Sequence, residues 1–341
     1  MKEKLVLNIL LITTISIFTG CAGGIANFTG TPLEKKFAKK DLESTVKYLS
    51  TQDIKALRYD NDKDILQLAI NNNFFKLADY IIDNKLVDIN HVNKLGSNTL
   101  YYALPYPKYV KKLLDNGSIV NLKDRKGLTP LHNVSLHFKN HTEVMKMLLD
   151  HGADINTKSD NNNLTPLNLA VRGNKFKNAE FLLNNGAKTD NGKSLLSAMW
   201  GKQTDLINLL IEKKANINNI DPYGNNVLHY LAQEGSPKNI KKAINQGANV
   251  NGLNKRGLSP LSNLIQIILR NTENSNSRTL VYSSNDENSI YELIDNGANI
   301  NFTIRGLGAY GHDGVVLDKA GFIDLANRLK SDKLMKLLQD K

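Results

Sequence analysis

The sequence predicts an all-α solenoid of stacked helix–turn–helix repeats behind a short apolar leader. Three observations predict it. First, a Gly-led loop recurs: GADIN at Gly152–Asn156 returns as GSIVN at Gly117–Asn121, GAKTD at Gly186–Asp190, GANVN at Gly247–Asn251 and GANIN at Gly297–Asn301. Weaker copies are VDIN at Val87–Asn90 and KANIN at Lys214–Asn218. Second, a helix-opening signal keeps pace, as TPLH at Thr129–His132, TPLN at Thr165–Asn168, NVLH at Asn226–His229 and SPLS at Ser259–Ser262. Third, the residues between carry apolar side chains at helical spacing, as in Val144, Met147 and Leu148, or Phe181 and Leu182.

Each signal has a local cause. Pro130, Pro166 and Pro260 suit a first helical turn, where a missing N–H costs nothing. Thr129, Thr165 and Ser259 precede them as N-caps. The loop glycines follow the second helices, where a left-handed C-cap is wanted. One such hairpin cannot bury its own apolar face, so neighbours must stack.

These linked motifs resemble the ankyrin repeat, whose period is about 33 residues and whose mark is T-P-L-H-x-A. The resemblance covers nearly all of the chain after residue 33. It implies helix pairs joined by β-turn fingers, a structural role for His132 and His229 between adjacent repeats, and partner binding on the concave face.

Taken in order, residues 1–20 read as a leader. Lys2 and Lys4 precede an apolar run, Leu5–Phe18, too short to span a membrane comfortably. Phe18-Thr19-Gly20-Cys21 follows, and it looks like a bacterial lipoprotein signal, with cleavage before Cys21 and lipid on its thiol. The alternative is a plain secretory signal cut near Ala22–Gly24. Ala22 after the cysteine favours the outer membrane over the inner in a Gram-negative cell. Residues 21–32 are small, polar and Gly-rich and read as the lipidated cysteine and a flexible tether.

Residues 33–341 form the array. Residues 33–58 read as a polar N-terminal cap with a helix pair, carrying Lys35, Lys36, Lys39, Lys40 and Lys47 near the tether. Repeats run over about 64–301. The first buries Leu66, Ala69, Phe75, Leu77, Ala78 and Ile81; the second is cut short by Pro105 and Pro107; the connection after Asp190 has lost most of its finger, leaving Asn191 and Gly192. Asn271–Asn288 reads as a mobile interhelix insertion. Residues 302–321 read as a Gly-rich loop, and 322–341 as the terminal capping pair with Ala326, Leu329, Leu334, Leu337 and Leu338 inward.

The totals narrow the function classes. The chain of 341 residues has a formal charge of +11, which points to acidic partners or an anionic surface. Its single cysteine leaves no disulfide framework and no cysteine-rich metal site. Gly306–Gly311, GLGAYG, matches G-x-G-x-x-G but lacks the strand–helix context of a dinucleotide site. His137 and His141 stand four apart near His132, yet no carboxylate is spaced to complete a zinc site. No Ser-His-Asp set or phosphate loop has recognisable context. The expectation is a non-enzymatic chain with no cofactor and no metal. An enzymatic alternative would have to use Arg305–Gly314.

Aligning to TPLHxA places one exposed row at Tyr102, Asn133, Leu169, Ser197, Tyr230 and Asn263, and the next at Leu136, Arg172, Trp200, Gln233 and Gln266. Trp200 has a second reading, as a filler packed between repeats beside the shortened finger. Finger tips add Asp124, Arg125, Lys126, Asp160, Asn161, Asp221, Tyr223, Lys255 and Arg256. Tyr, Trp and Arg are the residues enriched at binding hot spots. The expectation is a membrane-anchored lipoprotein outside the cytoplasm that binds another protein, with an acidic surface, on its concave face. It also contacts the bilayer through its acylated N-terminus, and it binds no nucleic acid. Alternatives are an immunity or inhibitor protein against a secreted toxin such as a lipase, and an envelope scaffold lying on lipid.

Overall fold

Helix pairs that bury one face each give a core strung along the chain rather than gathered at one centre. The computed structural model describes residue 37 and residues 39–189, 192–274, 282–304, 315–328 and 331–340. The leader, Cys21, the tether, Lys35, Lys36, Asp190, Asn191, the Arg305–Gly314 segment with Gly306–Gly311, and Leu329 lie outside the described residues. The chain divides into two compact units: Met1–Val134 with Glu143–Asn163, and Ser135–Thr142 with Leu164–Lys341.

The first unit contains α1 (Leu42–Leu49), α2 (Ile65–Asn71), α3 (Phe75–Asp83), α4 (Thr99–Ala103) and α5 (Pro107–Asp115), and shares α6 (Pro130–His137) and α7 (Thr142–Asp150) with the second. Asp64 caps α2, its Oδ1 accepting from the Gln67 N–H at 2.8 Å. Leu66, Ala69, Leu77, Ala78 and Ile81 are buried as the spacing predicts. Phe75 is a correction: it is half-buried, while Phe74 is buried and meets Phe37 edge-to-face at 5.4 Å. Phe37 is thus one of the residues by which the N-terminal cap docks, with Leu49 of α1 also buried. Pro107 opens α5, and Pro105 directly follows the C-cap Leu104 of the five-residue α4.

The second unit contains α8 (Pro166–Arg172), α9 (Phe176–Asn184), α10 (Lys193–Trp200), α11 (Thr204–Glu212), α12 (Val227–Gln233), α13 (Pro237–Asn245), α14 (Pro260–Asn274) and α15 (Ser284–Asp295). Then come β1 (Phe302–Ile304), β2 (Val315–Leu317), α16 (Lys319–Arg328) and α17 (Asp332–Gln339). First helices pack on first helices, α8 with α10 and α12 with α14; second helices pack likewise, α9 with α11 and α13 with α15.

In three of the recurrent loops the terminal Asn has a repeated job. Asn90 donates from Nδ2 to the Gly117 carbonyl and accepts at Oδ1 from the Ile119 N–H, one repeat on. Asn121 does the same with Gly152 and Asp154, and Asn251 with Gly297 and Asn299. A carboxamide can donate and accept at once, which explains why Asn recurs there.

Three expectations change. Much of Asn271–Asn288 is helical: α14 runs on to Asn274 and α15 begins at Ser284, with 275–281 outside the described residues. Ser283 and Asp286 form a capping box that starts α15 early, and Asp286 with Glu287 suits the helix dipole. Residues 302–321 are not all loop: Phe302, Thr303 and Ile304 pair antiparallel with Leu317, Val316 and Val315, as β-rich stretches at both ends favour. The capping pair therefore opens at Lys319 rather than residue 322. Among the described residues of the N-terminal cap, helix is found at residues 37 and 39 and in α1; residues 50–57 lie in turns and loop.

Candidate partner-binding surface

Four of the fingers turn on one Asx side chain each. Asp221 Oδ1 accepts from the N–H groups of Tyr223 and Asn225, both at 2.8 Å. Asn93, Asp124 and Asn254 repeat this with the residues two and four positions on. Neighbouring fingers then lock through the backbone: the Arg125 N–H donates to the Leu95 carbonyl at 3.1 Å, and the Lys255 N–H to the Tyr223 carbonyl at 2.8 Å.

The first predicted row mostly serves these turns. The Tyr230 hydroxyl donates to Asp221 Oδ2 at 2.6 Å, and burial with that carboxylate pushes the phenol pKa up. Tyr102 accepts from Asn93 Nδ2 at 2.8 Å, lies 5.7 Å beneath Lys63 Nζ, and burial pushes its pKa up to about 12. Asn133 is a correction: it is 6% exposed, bonded to the Thr129 carbonyl and the Asp124 side chain. Leu169, at 4%, is likewise buried. The inward tilt of this row toward the finger consumes its polar groups and closes it to solvent. Ser197 and Asn263 are half-buried.

In the second row, Arg172, Trp200 and Gln233 are exposed, at equivalent places near the ends of α8, α10 and α12. Leu136 is half-buried. Gln266 is a correction: it is buried, where its Oε1 accepts from Arg256 Nη2 at 2.7 Å. Of the finger tips, Arg125, Asn161, Tyr223, Lys255 and Arg256 are exposed; Lys126 is half-buried, and Asp221 is buried by its own hydrogen bonds.

The second unit brings two predicted residues together. Trp200, 48% exposed, stacks on Tyr223, 60% exposed, with centroids 5.8 Å apart and planes 19° from parallel. The shortened connection before α10 makes this possible. Gly192 caps that helix at φ +83, and a Cβ there would meet Asn219 Nδ2 at 1.6 Å. Without a full finger on α10, the tryptophan lies open and the next finger's tyrosine covers part of it.

His229 is fixed by Asn226 on one nitrogen and by the Leu258 carbonyl on the other, and burial holds its pKa below the usual range. It is a structural histidine joining two repeats. His132 Nδ1 engages Thr129 in the same capping arrangement. His141 stacks on Phe138 at 4.8 Å. Among the described residues no group of three or more His, Cys, Asp and Glu stands ready to hold a metal, and no helix is long and apolar enough to cross a membrane. Sequence reasoning missed the Asn bridges and the Arg256–Gln266 pair. The recurring Asn at the end of most loops was the signal for the former; nothing local signalled the latter.

Stacked helix pairs, Asx-turned fingers and inter-repeat asparagine bridges define a helical-repeat protein. Residues 105–193 match the family described as ankyrin repeats (3 copies). A putative ankyrin repeat protein of fowlpox virus is 32% identical over 127 residues, 35% of this chain and 86% of the relative. The ankyrin repeat protein nuc-2 of Neurospora crassa is 31% identical over 209 residues, 58% of this chain and 19% of that protein. The chain thus spans about a fifth of the length of that relative, and 23% of another fowlpox ankyrin repeat protein. Among solved structures, the ankyrin repeat domain of Bcl-3, described as a unique member of the IkappaB protein family, aligns with TM-score 0.51 at 22% identity. The alignment covers 61% of this chain and 98% of that one, a likeness of fold alone. The chain belongs to the ankyrin-repeat family.

Proposed function

We propose that this ankyrin-repeat chain is a protein–protein interaction module, tethered outside the cytoplasm of a bacterium by lipid on Cys21. Ankyrin repeats serve as interaction modules. The observation that carries the binding half is the exposed Trp200–Tyr223 stack on the first-helix and finger surface. Large aromatic faces left in water are costly in a monomer and are enriched where partners dock. What supports the anchor is the order of basic start, apolar run and Thr19-Gly20-Cys21. Two or more acyl chains hold a protein stably to a bilayer, where one is marginal.

The test has two arms. Bacteria expressing the full chain are fed an alkyne-tagged palmitate analogue; label should appear on wild type and vanish in Cys21→Ser. Equal labelling of both, or none in wild type, would remove the anchor. The purified chain is then used to capture protein from the same envelope, beside a Trp200→Ala, Tyr223→Ala double variant. Failure of wild type to enrich any protein would remove the interaction reading.

A further inference from the structure

The exposed stack has a charged frame. Arg172 occupies on α8 the place that Trp200 occupies on neighbouring α10, and Gln233 takes it on α12. Beyond Tyr223, its carbonyl accepts from the Lys255 N–H, so the exposed cations of Lys255 and Arg256 sit on the adjoining finger tip. The carboxylate within this frame, Asp221, is 4% exposed and spent on four donors: two backbone N–H groups, Asn225 Nδ2 and the Tyr230 hydroxyl. Glu234, beside Gln233, is the exposed acid at the margin. An aromatic floor therefore lies between cations on both flanks, with its own acid withdrawn.

We infer that this notch takes an acidic protein segment that lays an aromatic ring against Trp200, a reading that rests on the interaction module proposed above. The physical terms are separate. Carboxylates gain from Arg172, Lys255 and Arg256, and Arg offers a planar fork matched to a carboxylate. A ring on the indole gains from stacking beyond its buried area. The missing finger supplies the room: a full finger before α10 would occupy the ground the ligand ring needs.

Trp200 is the only tryptophan in the chain, so its emission reports the site directly. The full chain is titrated, with selective tryptophan excitation, against a random copolymer of glutamate and tyrosine, against polyglutamate, and against an oligothymidine strand. The copolymer should shift Trp200 emission and bind about tenfold tighter than polyglutamate. An Arg172→Ala, Lys255→Ala variant, which leaves the Arg256–Gln266 pair intact, should weaken that binding by about tenfold with unaltered Tm. Equal affinity for polyglutamate would overturn the ring anchor, no response to the copolymer would overturn the site, and tighter binding of the oligonucleotide would assign the platform to bases instead. Envelope capture separates this inference from its parent. A protein enriched equally by wild type and by the Trp200→Ala, Tyr223→Ala variant overturns the notch and leaves the module standing. Enrichment of nothing by either removes both.

Discussion

The finger around Asp221 and the connection before α10 perform the same task, entry into a first helix, with different amounts of chain. The full finger spends its Asx side chain on the turn and on Tyr230, and locks to the next finger through Tyr223 and Lys255. The short connection has a left-handed Gly192 and goes directly into α10. In the first case an aromatic side chain from the helix is absorbed into the finger's hydrogen bonding. In the second, the helix ends in a tryptophan that no finger of its own repeat covers. The difference teaches that finger length, set by a few residues of loop, decides which first-helix side chains remain available to a partner.

The largest effect lies at the polar centre of the full finger. Asp221→Ala removes the acceptor for two backbone N–H groups and the tyrosine hydroxyl, and should cost about 3 kcal/mol in urea unfolding. Asp221→Asn, the residue found at Asn93 and Asn254, should recover most of that loss. Next, glycines sharpen the contrast. Gly224 sits at φ +80, and a Cβ added there would stand 2.9 Å from the Lys255 backbone nitrogen, whereas the clash at Gly192 is with the movable Asn219 side chain. Gly224→Ala should therefore cost about 2 kcal/mol and Gly192→Ala about 1 kcal/mol by the same measurement.

A smaller effect depends on pH. The folded state disfavours protonated His229, because burial denies the imidazolium its water; the ring is held by the Asn226 N–H at Nδ1 and by the Leu258 carbonyl at Nε2. The unfolded chain takes up that proton near pH 6.5 while the folded chain resists, so this contribution is present above about 6.5 and lost as pH falls through the lower folded value. His229→Asn, which copies Asn168 of the preceding TPLN turn, should flatten that part of the Tm-versus-pH curve. The smallest stability effect belongs to the notch: Trp200→Ala should change unfolding by about 0.5 kcal/mol or less, since the ring is half in water. A large loss there would mean that the tryptophan fills the repeat interface.

Much of the fold was legible because its signals are local. Thr165 and Asn168 cap α8 as TPLN suggests, and Pro107 starts α5 where it stands in sequence. The candidate surface was legible only in part. Equivalent positions could be aligned, and Arg172, Trp200 and Gln233 prove exposed; yet Asn133, Leu169 and Gln266, drawn from the same alignment, are buried. Their fate depends on what the finger above them carries. The Asn-rich insertion misled for a related reason: Asn and Ser suit loops, but a Ser283–Asp286 cap and an apolar face ending in Ile290, Leu293 and Ile294 make the second part of it helix.

The order of residues alone determined the period, the helix pairs, their caps and the missing finger, because each follows from contacts within about four residues or from chain length. The tertiary structure alone decided which polar groups are spent, which asparagines bridge repeats, and that Trp200 and Tyr223 meet. The bridges and the stack join residues 23 to 48 positions apart, and they exist only after one repeat has stacked on the next.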